Sequence, residues 1–355
     1  MSRFIDTRYK DLEPYVPGEQ SQTQTFIKLN TNENPYPPSP AVKAALTGEE
    51  IDKLRLYSDP NAWQLCKAAG DYYGISPYQV LPCNGSDEAL AFAFLAFFGD
   101  KGVAFPAITY GLYTVFANLF GVKTRQVPLN SDFTINIGDY LTPGENVLIA
   151  NPNAPTGLAL SHGEIETILK AHPNDVVLID EAYVDFGCES LVQLLHQYEN
   201  LLVIQTCSKS RSLAGQRVGF AFGSEALIND LRAMKDSFNP YNVDRLAILA
   251  GSAAMNDKAY FDECCSRIIA TREKTTAALR QAGFVMADSK TNFIFTTYPG
   301  LSGAVLQQKL RDKGFLIRRF DQELIKDYLR ISIGREADME KLTAALIECV
   351  KECKA

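Results

Sequence analysis

The chain has 355 residues, 46% hydrophobic and 22% charged, with a formal net charge of −7. That is enough apolar material for one large domain with a smaller one attached, at an ordinary soluble composition. The acidic balance gives no overall field for nucleic acid or an anionic membrane, so a small anionic ligand would have to be met by local arginines.

The first residues, Met1 to Asp6, hold no apolar core of signal-peptide type. The longest apolar run is Ala89–Phe98, ten residues, well short of the ~18 of a membrane span. The eight cysteines form no Cys-x-x-Cys pair, and reduced, largely buried thiols in a cytoplasmic protein are expected. His162, His172 and His196 stand apart in sequence, next to no other ligand type. No metal site is expected.

Leu12 to Gly18 reads as an extended arm fixed by Pro14 and Pro17. Residues 28–40 carry four prolines and three asparagines, which dictates an irregular polar loop that would line a pocket entrance. Ser39-Pro40 starts a helix, with proline where its missing N–H costs nothing. Leu54 to Pro60 is a turn that carries the hydroxyl of Tyr57. Cys83 to Glu88 leads into the apolar run 89–98, closed by Gly99. This pattern predicts a loop, a helix N-terminus and a buried helix. Free N–H groups and about half a positive charge there suit an anion, although every capped helix shares that signal.

Short stretches, apolar but for a terminal Asp180 and Gln205, follow at 102–105, 147–150, 176–180, 201–205 and 219–223, alternating with helical segments. Such runs predict parallel strands covered on both faces. In a sheet of that kind ligands bind at the carboxyl ends of the strands, where Asn153, Asp180 and Lys209 fall. A carboxylate that ends an apolar strand needs a cationic or proton-donating partner. Asp257–Gln281 predicts a long amphipathic helix leading to a second domain. Strands near 292–295, 315–319 and 328–334 then alternate with helices near 303–313 and 336–353, which suits a small α/β domain. Arg330 inside an apolar strand requires an anion, structural or substrate.

The stretch Thr206 to Arg217 is the centre of this pattern. Lys209 lies just beyond the end of a buried strand, where an ammonium costs several kcal/mol to desolvate. The hydroxyls of Thr206, Ser208, Ser210 and Ser212 surround it, and Arg217 lies eight residues on. Hydroxyl donors and a forked guanidinium suit a dianionic phosphate, and the amine suits a carbonyl carbon.

In order, Asn-Pro-Asn-x-Pro-Thr-Gly (151–157), Asp-Glu-Ala-Tyr (180–183) and Thr-x-Ser-Lys with Arg217 resemble the fold-type I, pyridoxal-phosphate-dependent aminotransferases of classes I and II, nearest their histidinol-phosphate branch. The spacings of 27 and 29 residues between Asn153, Asp180 and Lys209 each leave room for one βα unit. The resemblance implies a large domain with a mainly parallel seven-stranded sheet flanked by helices (36–255), a small C-terminal α/β domain (256–355), and an arm (1–35) packing on the small domain and the partner subunit. It implies that Lys209 carries pyridoxal 5'-phosphate and later shuttles a proton. Asp180 would pair with the ring nitrogen, Tyr183 would bond the ring oxygen, and Tyr110 would stack on the ring. Ser86, Asp87, Thr206, Ser208 and Arg217 would hold the phosphate, joined by Tyr57 of the neighbouring subunit in a homodimer with shared sites. Arg330 would bind a substrate carboxylate, with Arg318 and Tyr15 for a substrate phosphate. One departure stands out: the usual Asn-Asn before Pro-Thr-Gly is Asn153-Ala154 here. The second asparagine's contact to the ring oxygen is therefore missing, replaced, or supplied by Asn153, unless Tyr183 carries it alone. The implied reaction is amino transfer from histidinol phosphate to 2-oxoglutarate. An aromatic amino-acid aminotransferase and a decarboxylase of a phosphorylated amino acid are the alternatives.

Overall fold

The computed structural model describes residues 2–20 and 25–354; residues 1 and 21–24 of the expected arm lie outside it. In chain order the strands are β1 (Ile27–Leu29), β2 (Val80–Asn84), β3 (Val103–Pro106), β4 (Thr124–Val127), β5 (Asn146–Ala150), β6 (Val177–Asp180), β7 (Leu201–Thr206) and β8 (Val218–Gly223), then β9 (Val285–Met286), β10 (Phe293–Thr297), β11 (Phe315–Arg319) and β12 (Leu329–Ser332).

Seven of them form one sheet in the order β2-β8-β7-β6-β5-β3-β4. All its pairings are parallel except those of β8, which runs antiparallel to both β7 and β2. The apolar runs are strands because both faces are covered. Val147, Ile149, Val177, Ile179 and Val203 point into one core. Their alternating neighbours Leu148, Leu178, Leu202 and Ile204 point into another. All nine are fully buried, so no polar face is left to produce alternation. β2 carries Pro82, which argues against a central strand, and it is tolerated because β2 is the sheet edge.

A second sheet, β1-β11-β12-β10-β9, holds the C-terminal strands. β1 comes from the N-terminal segment and pairs in parallel with β11, Leu29 opposite Ile317. Three residues are too few to show a period, so this strand has no signature in the sequence. The helix Lys258–Gln281 is capped by Asp257, whose side chain accepts from the Tyr260 N–H. It buries Phe261, Cys265, Ile268 and Leu279 in the core of the second sheet. Helices at Gly303–Asp312 and Glu336–Lys354 complete that layer. The helix Ser86–Phe97 starts at Gly85 and ends two residues before Gly99. All eight thiols are free. Among the described residues no helix is long and apolar enough to cross a membrane.

Candidate active site

The carboxyl ends of β5, β6 and β7 open into a cavity of about 690 Å³. Parallel pairing sets Asp180 beside Ala150 on one side and Ile204 on the other, which puts the last residues of the strands at one depth. Asp180 is buried. Tyr113 donates to its Oδ2 at 2.7 Å and the Ala182 N–H to its Oδ1 at 3.1 Å. Burial pushes its pKa up to about 6 in spite of these two donors. Among the described residues it makes no ion pair, and Lys209 acts on it only at longer range.

Lys209 follows β7 and projects into the same cavity. Its Nζ donates to the Thr31 carbonyl at 3.1 Å and lies 5.9 Å from the Tyr183 ring centre. Burial, and then the Arg330 guanidinium, bring the amine down to about 8; Asp87 and Glu33 oppose the shift. A depressed amine beside a buried carboxylate is the pairing expected where proton transfer is carried out. The lysine's backbone is fixed as well, because Asn34 Nδ2 donates to the carbonyls of Lys209 and Ser210 at 3.0 and 3.1 Å.

The anion cradle sits at the start of the helix Ser86–Phe97, whose first turn has no side-chain cap. Arg217 crosses above it, with Nη2 3.0 Å from Asp87 Oδ2 and Nη1 3.5 Å from Ser208 Oγ. Thr206 donates to Ser208 Oγ at 2.9 Å and receives the Ser208 N–H at 3.1 Å. Glycine is required here. Gly85 has φ +79°, and a Cβ on it would lie 2.4 Å from Arg217 Nη2. Arg217 itself is left-handed, with φ 56°, a strained conformation of the kind that clusters at functional sites.

At the other end of the cavity Arg318 and Arg330 stand directly opposite each other on antiparallel β11 and β12. Arg318 donates to the carbonyls of Val16 and Pro17, and Arg330 to that of Asn30. Nε of Arg330 and Oγ1 of Thr31 are buried without a partner. Tyr15 closes this side, its ring edge-on to Tyr110 at 5.7 Å. Tyr110 donates to Asp87 Oδ1 at 3.1 Å. The loop 30–33 lines the cavity, as its composition suggested.

Two sequence candidates lie outside this cavity. Asn153 is buried and its amide is spent locally: Nδ2 donates to the Ile108 carbonyl at 3.0 Å and to Thr156 Oγ1 at 3.1 Å, while Oδ1 accepts from Thr109 at 2.7 Å. Ala154, not Asn153, faces the cavity, so the suggestion that Asn153 supplies the ring-oxygen contact is corrected: its side chain points away and holds the loop. Tyr57 is 81% exposed and stacks on Tyr241 at 4.5 Å. Three cavity partners had no sequence signal of their own: Tyr113, which bonds Asp180; Thr31; and Asn32, whose Nδ2 donates to the Tyr183 hydroxyl at 2.9 Å. Only the left-handed backbone of Asn32, φ 56°, corresponds to a residue preference.

The donor set fits pyridoxal 5'-phosphate. It combines an anion cradle of hydroxyls, arginine and helix N–H groups, a depressed amine for the aldehyde, a buried carboxylate that makes no ion pair among the described residues, and a volume sized for a ring with its substrate.

Residues 24–346 match the family described as aminotransferase class I and II. The chain is 50% identical over 348 residues to a histidinol-phosphate aminotransferase of Acinetobacter baumannii (strain SDF), covering 97% of this chain and 96% of the other. It is 47% identical over 351 residues to one of Clostridium acetobutylicum, covering 99% and 100%. The solved histidinol-phosphate aminotransferase of Sinorhizobium meliloti, in complex with pyridoxal-5'-phosphate, superposes with a TM-score of 0.87 at 22% identity, over 99% of this chain and 100% of that one. An L-threonine-O-3-phosphate decarboxylase of Porphyromonas gingivalis gives 0.78 at 22% identity, covering 92% and 99%. At such identities the two structures establish a common fold and do not separate the two reactions. The sequence matches go further, and on them the chain belongs to the class I and II aminotransferases.

Proposed function

We propose that the protein is a pyridoxal-phosphate-dependent aminotransferase that moves the amino group of histidinol phosphate to 2-oxoglutarate. The facing pair Arg318 and Arg330 carries this reading. Two guanidiniums side by side across a strand pair repel each other, and an anion between them relieves the repulsion. Glutamate presents a carboxylate there, and histidinol phosphate, which has no carboxylate, presents its phosphate. The near-half identity to histidinol-phosphate aminotransferases over almost the whole chain supports the same choice.

When bound, the cofactor supplies an electron sink for the carbon that loses its proton. The chain's own residues do the rest. Lys209 would hold the cofactor and would move the proton at the substrate's amino-bearing carbon. Asp180, oriented by Tyr113, would keep a proton on the ring nitrogen. Tyr183 would donate to the ring oxygen and Tyr110 would cover the ring. Ser86, Asp87, Thr206, Ser208 and Arg217 hold the phosphate through N–H, hydroxyl and guanidinium donors. Tyr15 and Arg318 meet the substrate phosphate.

Loss of one charge-assisted contact costs roughly 1.5–3 kcal/mol. Arg318→Ala should therefore lower kcat/KM for histidinol phosphate about ten- to a hundredfold. A panel of histidinol phosphate, phenylalanine, tyrosine and O-phosphothreonine, scored for amino transfer and for carbon dioxide release, tests the substrate. Preference for an aromatic amino acid, or release of carbon dioxide, replaces this reading with one of its two alternatives.

We further propose a homodimer whose sites are shared, with an arm (1–35), a large domain (36–255) and a small domain (256–355). Tyr57 cannot serve its own cavity from its exposed position on Tyr241, and Ile51, Leu54 and Leu56 around it are each about half exposed, the kind of surface another subunit covers. Co-refolding Lys209→Ala chains with Tyr57→Phe chains should recover about a quarter of the wild-type sites, since half the dimers are mixed and each has one intact site. Activity no higher than the more active parent would exclude sharing.

A further inference from the structure

Asn32 is fully buried and left-handed. Its N–H donates to Ser332 Oγ at 2.8 Å, and its carbonyl accepts from Asn292 Nδ2 at 2.9 Å. Ser332 is buried too, and its hydroxyl, having accepted the Asn32 N–H, has one proton to place. That proton goes to Asn32 Oδ1 at 3.0 Å. The opposite amide orientation would leave the buried Ser332 proton with no acceptor, at a cost of about 1–3 kcal/mol. The Asn32 nitrogen therefore faces Tyr183, and donates to its hydroxyl oxygen at 2.9 Å.

A phenol has one proton. With its oxygen already accepting from Asn32, Tyr183 has that proton free to direct into the cavity. Elsewhere on the rim, the position where the family has a second asparagine is Ala154, whose side chain has no donor, and the Asn153 amide is bonded to Ile108 and Thr156.

We propose that Asn32 is a positioning residue that sets the hydrogen-bond direction of Tyr183, making Tyr183 a committed donor to the cofactor's ring oxygen in place of the asparagine amide lost at Ala154. This rests on the cofactor reading above. It also ties the second sheet, through Ser332 and Asn292, to a donor at the end of β6, so that the polarity of Tyr183 depends on the two sheets being docked.

The test uses the loaded holoenzyme and the pH midpoint of its visible band, which reports the basicity of the nitrogen joining Lys209 to the cofactor. A donor on the ring oxygen draws electron density away and lowers that midpoint; losing it raises the midpoint. Asn32→Gly removes the amide and suits the left-handed backbone. Asn32→Asp replaces the donor with an acceptor that takes the Tyr183 proton. Each should raise the midpoint by about one unit, and Asn32→Gly should speed cofactor loss about fivefold. In a Tyr183→Phe background the Asn32→Gly shift should vanish, because its route is gone. The proposal is overturned if the loaded Asn32→Gly protein keeps the wild-type midpoint, or if its shift is as large with Tyr183→Phe as without. A wild-type protein that takes up no pyridoxal phosphate on Lys209 would instead overturn the cofactor reading itself.

Discussion

Lys209→Ala should abolish amino transfer. In the proposed function this residue would both attach the cofactor and move the proton, so its removal should forfeit at least the ~10²–10⁴-fold of general acid–base catalysis. Borohydride reduction of wild-type holoenzyme should fix the cofactor mass on the peptide containing Lys209 and nowhere else; label on a different lysine would refute the assignment. The reaction of cofactor-free protein with pyridoxal phosphate gives a second reading of the same amine. Burial and Arg330 hold its pKa near 8, and only the neutral amine attacks an aldehyde. Uptake should accelerate as pH rises through about 8 and level off above it, some two units earlier than for an ordinary lysine.

Asp180→Asn should lower turnover by orders of magnitude while leaving cofactor bound. The amide keeps the shape but has one acceptor oxygen, so it can accept from Tyr113 or from the Ala182 N–H and not from both, and it cannot stabilise a protonated ring nitrogen. Breaking a buried charge pair costs about 3–5 kcal/mol, roughly 10²–10³-fold or more. The cofactor-free protein should respond in the opposite sense. A carboxyl whose folded pKa lies near 6, above its ordinary value, binds more protons folded than unfolded between about pH 4 and 6. Its stabilising contribution is complete below that window and is lost as pH rises through it. At pH 7 Asp180→Asn should therefore raise the stability of the cofactor-free protein, by up to about 3 kcal/mol, as thermal unfolding would show. Near-normal turnover in Asp180→Asn would place the electron sink elsewhere. A variant that is less active yet more stable is the signature of a group retained for chemistry at the expense of the fold.

Much of this was legible in the one-dimensional chain, and the reasons are local. Wholly apolar runs such as 176–179 and 201–204 can be hidden only in a sheet covered on both faces. A lysine and an aspartate at the ends of such runs must meet at the carboxyl edge. Lys209 and Arg217 belong to an ordered pattern, with 151–157 and 180–183, whose spacing survives without coordinates; the helix start at Ser86, 130 residues and more before Arg217, joins it only in the fold. Other features depended on distant chain segments. β1 has no period of its own and is a strand only because β11 offers it an edge. Tyr113 and Asn32 are unremarkable in sequence; they become partners of Asp180 and Tyr183 across separations of 67 and 151 residues. The facing of Arg318 and Arg330 is a matter of strand register, which composition does not encode. Asn153 shows the converse: the motif named the residue, but the rotamer was decided by the carbonyl of Ile108 and the hydroxyls of Thr109 and Thr156, which offered its amide a complete set of partners away from the cavity. Sequence alone determined which residue types stand at the strand ends, because burial of each run is a local constraint. Which way each polar hydrogen points was decided only by the tertiary structure, because that depends on the full set of donors and acceptors brought together by folding.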